Sequence, residues 1–319
     1  MRKRLVRILA WAVTAGLLVL LFRKISIHEV VAAARGAAGW TVPVGLLCVV
    51  AIYLADSLAI WKTFGWFLVK LPFTDILLVR GATYLLAAIN YNVGQGAIVY
   101  FVNRVAAVPV IRGAATVLFI MGVNVLALLF LATLGLGVAP AVPHAVTLIV
   151  LVAYAGLAVY LVTVTLKPRW LASRPIFQVL LGAGLGGHAR ALAVRLPHIA
   201  ALLTFQICML RAFGVAVPIV DAVAALPVVF FISVLPISVQ GLGTTQAAMV
   251  YFFARYAAGD HQAQQAAVLT ASLVGQALAL SFQAVLGILC LKSRVGRALE
   301  AAVPTPPAAG AASPGPGAG

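Results

Sequence analysis

The sequence predicts an all-α membrane protein: a polytopic helix bundle with about six full spans and two re-entrant helical hairpins in an inverted repeat. Composition is the first reason, since 64% of the 319 residues are hydrophobic and 9% are charged. Soluble domains are about 45–50% apolar and about 25% charged, so an ordinary soluble enzyme is excluded, as is a disordered chain. The second reason is a series of apolar runs near the length of about 20 residues that a span needs. The third is a pair of apolar regions that Gly, Pro, Asn or Ser residues interrupt.

The predicted full spans begin close to the N-terminus. Arg23 and Lys24 follow the first apolar run directly, and no small-residue cleavage site ends it, which indicates an uncleaved helix rather than a signal peptide. Residues 1–292 are therefore predicted to form one membrane domain, and the Pro/Ala/Gly-rich residues 293–319 a disordered cytoplasmic tail. The six predicted spans are 5–22, 41–61, 114–138, 145–166, 198–217 and 266–291.

Loop charges predict the orientation, because cytoplasmic loops are enriched in Lys and Arg. The segment 167–197 carries five such residues and loop 139–144 carries none, so the first is predicted inside and the second outside, with both termini cytoplasmic. Within 175–196 we expect a helix along the interface, with Arg190 and Arg195 toward headgroups. The net charge of +16 is scattered singly or in pairs. This scattered distribution indicates that the positive residues set the orientation of the spans and contact anionic lipid headgroups. No nucleic-acid partner is expected.

The interrupted regions, 76–104 and 222–257, resemble each other. One contains the stretch AIVYFVNR at 97–104, and the other contains AMVYFFAR at 248–255. An apolar chain produces such matches by chance too, but an odd number of spans between the regions places them on opposite membrane sides, as in inverted-repeat transporters.

The tips of these hairpins are the predicted polar path. We expect helices to begin after Gly96 and after Gly243, and helix N-termini attract anionic groups. The alternative is that the glycines only let helices pack closely. The tips contribute these candidate substrate-binding residues: Asn90, Asn92, Gly94, Gln95, Gly96, Pro236, Ser238, Gln240, Gly241, Gly243, Thr244, Thr245 and Gln246.

Polar residues inside the spans add further candidates. Arg80 and Arg211 are predicted phosphate contacts, since ionisable residues at membrane depth are usually functional and a guanidinium suits phosphate. Asn124 and Gln276 either bond between helices or line a polar cavity. Asp56 and Lys62 are predicted to form an interfacial pair at a helix end.

Cofactor and metal chemistry are not expected. The cysteines and histidines are dispersed without metal-ligand spacing. Residues 182–187 match a dinucleotide-binding glycine pattern, but neither the acidic residue nor the βαβ context that the pattern requires is present.

The segment 235–253 (LPISVQGLGTTQAAMVYFF) resembles the late signature of the flippase-like family that includes the transmembrane region of lysylphosphatidylglycerol synthases. Pro236, Ile237, Ser238 and 241–243 match that signature, and Gly94-Gln95 resembles an early motif. Glutamines stand at positions 95 and 246, where the family usually has glutamates. In size the chain also resembles stand-alone members of the family that are associated with hopanoid synthesis.

The resemblance implies translocation of a phospholipid or isoprenoid/hopanoid-type lipid, with a polar or anionic headgroup, across a bacterial inner membrane. One alternative is a membrane-embedded transferase acting on a lipid, which would need titratable groups facing a cavity. Another is a non-transporting partner of a lipid-synthesis enzyme. The oligomeric state is not predicted.

Overall fold

The computed structural model describes residues 35–89, 91–136, 144–234 and 241–292. The predicted span 5–22, the tail 293–319 and the candidate residues Asn90, Pro236, Ser238 and Gln240 lie outside these ranges. Within them the chain is helical and has no strand, although Val215 and Ala257 form an isolated β-bridge. The all-α prediction is therefore confirmed.

The helices, in chain order, are α1 (Thr41–Phe67), α2 (Phe73–Ile89), α3 (Tyr91–Ala106), α4 (Val110–Leu136), α5 (His144–Leu166), α6 (Arg169–Ala172), α7 (Pro175–Ala212), α8 (Ile219–Val234), α9 (Thr244–Phe253) and α10 (His261–Leu291), with a 3-10 turn at Ala254–Tyr256.

Four segments are long and apolar enough to cross a membrane: Thr41–Phe67, Val110–Leu134, Pro175–Ala212 and His261–Leu291. They correspond to four of the predicted spans. Two shorter apolar segments, Val150–Leu166 and Ile219–Ser233, accompany them. The chain therefore has the character of a membrane protein.

Helix α7 is the centre of the bundle, packing against α1, α4, α5, α8 and α10. The boundary predicted at residue 196 is wrong, because α7 consists of two helical parts joined at a kink, and the second part continues through Pro197 to Ala212. That the first part lies along the membrane interface stays a prediction. Gly184, with φ of 60°, is the non-helical position inside it. Four residues on, His188 contacts the Gly184 carbonyl oxygen through Nδ1 at 2.6 Å and the Tyr160 hydroxyl through Nε2 at 2.5 Å, so one buried imidazole fastens this bend to α5.

The helix ends form two groups. The first, called the basic end, is marked by the Trp61 Nε1 hydrogen bond to the Leu71 carbonyl (2.8 Å) and by a recess shared by Phe67, Arg112 and Gln178. This end carries Lys62, Lys70, Arg104, Arg112, Lys167, Arg169, Arg174 and Lys292.

The opposite end is joined by backbone hydrogen bonds. The Ala38 amide donates to the Ala212 carbonyl and the Ala216 amide donates to the Tyr256 carbonyl, both at 3.1 Å. Among the described residues, those that are charged at this end are fewer and of both signs: Arg35, Arg211, Asp221, Arg255 and Asp260.

The two interrupted regions are helix pairs. Helices α2 and α3 pack on each other and open at the basic end, whereas α8 and α9 pack on each other and open at the opposite end. The prediction that a helix begins after Gly96 is wrong, since α3 begins at Tyr91. The equivalent prediction after Gly243 is confirmed, because α9 begins at Thr244.

Glycine at position 94 permits the close approach of α2 and α3. A Cβ added to Gly94 would lie 2.6 Å from the Ala87 Cβ and 2.9 Å from its Cα, whereas one added to Gly96 would meet nothing within 4 Å. At Gly94 the packing alternative weighed from the sequence therefore has direct structural support.

The two glycines give a matched prediction. Gly94→Ala overpacks the α2–α3 contact and should lower the free energy of unfolding by about 1–3 kcal/mol. Gly96→Ala should leave it unchanged or raise it by up to about 1 kcal/mol, because alanine is the better helix former. Unfolding by sodium dodecyl sulfate in mixed micelles measures both, and equal losses would contradict the packing described.

Candidate functional site

A buried carboxylate joins three helices in the middle of the bundle. Asp56 on α1 is 1% exposed and accepts hydrogen bonds from Arg80 on α2 and Arg195 on α7, one at each carboxylate oxygen. Asp56 lies about 22 Å from the start of α1 and about 16 Å from its end, at 1.5 Å per residue. Arg80 and Arg195 are also near the middle of their helices. We call these three residues the central triad.

The triad extends to a fourth helix. Arg195 Nε donates to Asn124 Oδ1 on α4 at 3.0 Å, so the arginine is held by both a carboxylate and an amide. The Arg80 guanidinium carbon lies 4.5 Å from the centre of the Tyr84 ring, a cation–π distance. These contacts place Arg80 and Asn124, both predicted from the sequence, in one site.

Two further contacts fix α1 against its neighbours around the triad. The Tyr53 hydroxyl donates to the Leu77 carbonyl at 2.7 Å, and His198 Nδ1 lies 3.2 Å from the Ile52 carbonyl oxygen. His198 is buried and stands three residues after Arg195, on the same face of α7. The triad thus has a rim of aromatic rings and one imidazole.

Apolar clusters enclose the triad on both sides. Toward the basic end, Ile60 and Phe64 pack with residues of α2 and α3. Toward the opposite end, Cys48 and Val49 pack with Phe205 and Met209. Water is therefore largely excluded, and Coulombic attraction is stronger here than at a surface.

Several predictions about charge are corrected by these contacts. The interfacial Asp56–Lys62 pair is wrong, because Asp56 is buried in the triad and Lys62 is exposed, with Nζ 4.4 Å from the Trp61 ring centre. Arg195 does not face headgroups. Arg211 is not deep in a span, because α7 ends at Ala212 and Arg211 is exposed in its last turn.

A second polar contact lies where α9 begins. Gln246 is 0% exposed; its Oε1 accepts the Gly243 amide at 2.6 Å, and its Nε2 donates to Gln276 Oε1 on α10 at 2.6 Å. Two residues that were predicted from the sequence as separate candidates, Gln246 and Gln276, are thus brought together. The Thr244 hydroxyl donates to the Gly241 carbonyl at 3.0 Å and so stabilises the preceding turn, where Gly241 and Gly243 have positive φ.

The other residues predicted to bind substrate make few contacts at either of these two polar sites. The Thr245 hydroxyl is buried without a hydrogen-bond partner in the described chain. Gln95 is partly buried, Gly96 is exposed, and the side chain of Asn92 lies outside the description. Among the described residues no three His, Cys, Asp or Glu side chains cluster as metal ligands.

Sequence reasoning missed Asp56 and Arg195. Asp56 was placed near a helix end because the span was predicted to stop at residue 61, whereas α1 continues to Phe67. Arg195 stands in the stretch ALAVRLPHIAALL. The apolar residues on both sides of it are the feature from which its burial could have been predicted. No protein-family model matches the chain, and the comparison with curated proteins finds no match.

The triad yields an ordered stability prediction. Asp56→Asn leaves two guanidinium groups buried without their carboxylate and should lower the free energy of unfolding by about 3–5 kcal/mol. Arg80→Gln leaves a balanced Asp56–Arg195 pair and should cost less. The control is Asp260→Asn, because Asp260 is an exposed N-cap and asparagine caps equally well. Detergent-titration unfolding measures all three, and a larger loss for Arg80→Gln than for Asp56→Asn would refute the charge account.

The Gln246 contact yields a second prediction. A protonated glutamic acid offers one donor and one acceptor, so Gln246→Glu can repeat both hydrogen bonds while it stays neutral. Gln246→Met leaves the buried Gly243 amide without its acceptor and should cost about 1–3 kcal/mol. Thermal unfolding of the purified protein at pH 5 should rank wild type and Gln246→Glu together, above Gln246→Met. Equal melting temperatures for Gln246→Met and wild type would contradict this assignment.

Proposed function

We propose that the protein translocates a membrane lipid with an anionic headgroup, whose phosphate binds at Arg80 and Arg195. The observation that carries the proposal is the charge of the central triad, where two guanidinium groups meet one carboxylate at mid-depth in a bundle with four helices long enough to span a membrane. Among these three groups one positive charge remains.

A surplus charge at this depth is costly unless an anion accompanies it. A phosphate suits the place, because a guanidinium can bind it with two parallel hydrogen bonds. Arg80 and Arg195 are 8% and 7% exposed, so the arrangement corresponds to an occluded state of the proposed transporter. Lipid entry then requires α2 to move relative to α1 and α7.

The helix pairs support a transporter of the inverted-repeat type. Helix α2 has 17 residues, α3 and α8 have 16 each and α9 has 10, all shorter than the roughly 20 residues of a full span. We propose that both pairs are re-entrant hairpins that open at opposite membrane faces. Arg80 stands on the first pair and Gln246 on the second. Together with the predicted span 5–22 and helix α5, the four long helices would give the six full spans.

The proposed mechanism does not depend on proton transfer at position 246. Gln246 makes the hydrogen bonds that a neutral glutamic acid would make, and it cannot ionise. Here the chain departs from the flippase-like proteins that it resembles, in which a glutamate usually occupies the position. The basic end is proposed to face the cytoplasm of a bacterial cell, since positive residues concentrate on that side.

Proteoliposomes containing a fluorescent phosphatidylglycerol test the function, with dithionite quenching to follow lipid movement between leaflets. We expect faster movement than in protein-free liposomes, and faster movement of phosphatidylglycerol than of zwitterionic phosphatidylcholine. Arg80→Gln should slow lipid movement at least tenfold. Arg80→Lys should give an intermediate rate, because lysine keeps the positive charge but cannot bind a phosphate with two parallel hydrogen bonds. The matched control is Lys167→Gln, which removes an exposed charge at the basic end.

Two outcomes would overturn the proposal. One is a rate no greater than that of protein-free liposomes. The other is a wild-type rate in Arg80→Gln protein that size-exclusion chromatography shows to be folded.

A further inference from the structure

Two recesses at the basic end share one exposed tryptophan. One, of about 330 Å³, is lined by Trp66, Phe67, Arg112, Gln178 and neighbouring residues of α7. The other, of about 240 Å³, is lined by Trp61, Lys62, Gly65, Trp66, Lys70 and Leu71. Trp66 is 42% exposed and lines both recesses.

The aromatic wall of these recesses is held in place. The Trp61 indole donates to the Leu71 carbonyl, and the Trp66 ring packs edge-on against Phe67 at 6.2 Å between ring centres. Phe67 in turn packs against Phe119 at 5.2 Å. Tryptophan is enriched at the membrane–water interface, where its ring meets headgroups.

Charge at this end is almost entirely positive. Lys62, Lys70 and Arg112 are exposed around Trp66. Within the described ranges, the carboxylate at this end is that of Asp75, which stands in the first turn of α2. The recesses therefore favour an anionic occupant.

An exposed apolar stripe continues from the recesses toward the middle of α1. Leu47, Leu54 and Leu58 are 69%, 44% and 37% exposed. From Leu54 onward the row continues through Leu58 and Lys62 to Trp66 at intervals of four residues, so successive members are neighbours and the row winds gradually around α1 toward the recesses. The stripe from Leu58 to Leu47 is about 16 Å long at 1.5 Å per residue. That is close to the thickness of one leaflet of the hydrocarbon core, about 15 Å.

We infer that this surface binds one anionic phospholipid as a resident lipid, separate from the central triad. Its headgroup lies around Trp66, with Lys62, Lys70 and Arg112 as the cationic contacts, and an acyl chain lies along the leucine stripe. The combination of a positively charged, aromatic recess and an apolar stripe of leaflet length selects a lipid over a soluble anion. The inference does not rest on the proposed transport function.

Native mass spectrometry of the full-length protein, released from micelles with equal phosphatidylglycerol and phosphatidylethanolamine of the same chain length, tests this site. We expect preferential retention of one phosphatidylglycerol. Lys62→Gln and Arg112→Gln should each reduce that retention several-fold, and Leu54→Gln should reduce retention of both lipids. Lys167→Gln is the matched control, because it removes a positive charge at the same end but outside both recesses.

Three results would overturn the inference. Equal retention of the two lipids would exclude selection of an anionic headgroup. An equal loss with Lys167→Gln would show diffuse attraction instead of a site. Displacement of the lipid by millimolar inorganic phosphate would show that the apolar stripe contributes nothing. A transport defect in Arg80→Gln with normal retention of this lipid would separate the two sites.

Discussion

The central packing depends on the ion pairs that the buried Asp56 carboxylate forms with two arginines. The two carboxylate oxygens bind Arg80 and Arg195, so one side chain sets the positions of α1, α2 and α7 relative to one another. Arg195 passes the constraint to α4 through Asn124. Because apolar clusters lie on both sides, none of these charges can exchange its partner for water without opening the bundle. The triad therefore specifies one arrangement of four helices, which apolar contacts between lipid-compatible surfaces would specify less strictly.

The same charges connect the fold to the proposed function. A balanced pair would suffice to hold two helices, whereas two arginines around one aspartate leave positive charge at a depth where anions are otherwise absent. The second polar contact, between Gln246 and Gln276, is neutral and fastens the short helix α9 to α10. The bundle thus combines a charged junction on one helix pair with an uncharged junction on the other, and the proposed lipid path lies between elements of both pairs.

The fold class and most helix positions could be predicted from composition and apolar run length, because both follow directly from the exclusion of water. The site was predicted only in part. Arg80, Asn124, Gln246 and Gln276 stand out as polar residues within apolar runs. Asp56 and Arg195 were assigned to interfaces because their burial depends on helix ends: α1 extends six residues beyond the predicted span, and α7 continues through Pro197. Arg211 shows the reverse error, since α7 ends one residue after it. The partners in an ion pair depend on how the helices pack, and the lengths of apolar runs in the sequence do not reveal that packing.

Photo-crosslinking with a phosphatidylglycerol that carries a diazirine beside the phosphate tests the central claim most directly. After reconstitution and illumination, peptide mapping should find labels in the segments that contain Asp56, Arg80 and Arg195, in addition to those around Trp66. Excess unlabelled phosphatidylglycerol should suppress the labels at the triad, and Arg80→Gln should abolish them. Labels confined to Trp66 and to exposed lipid-facing positions such as Leu47 and Val152 would contradict a phosphate at the triad and would leave Asp56 with a structural role alone.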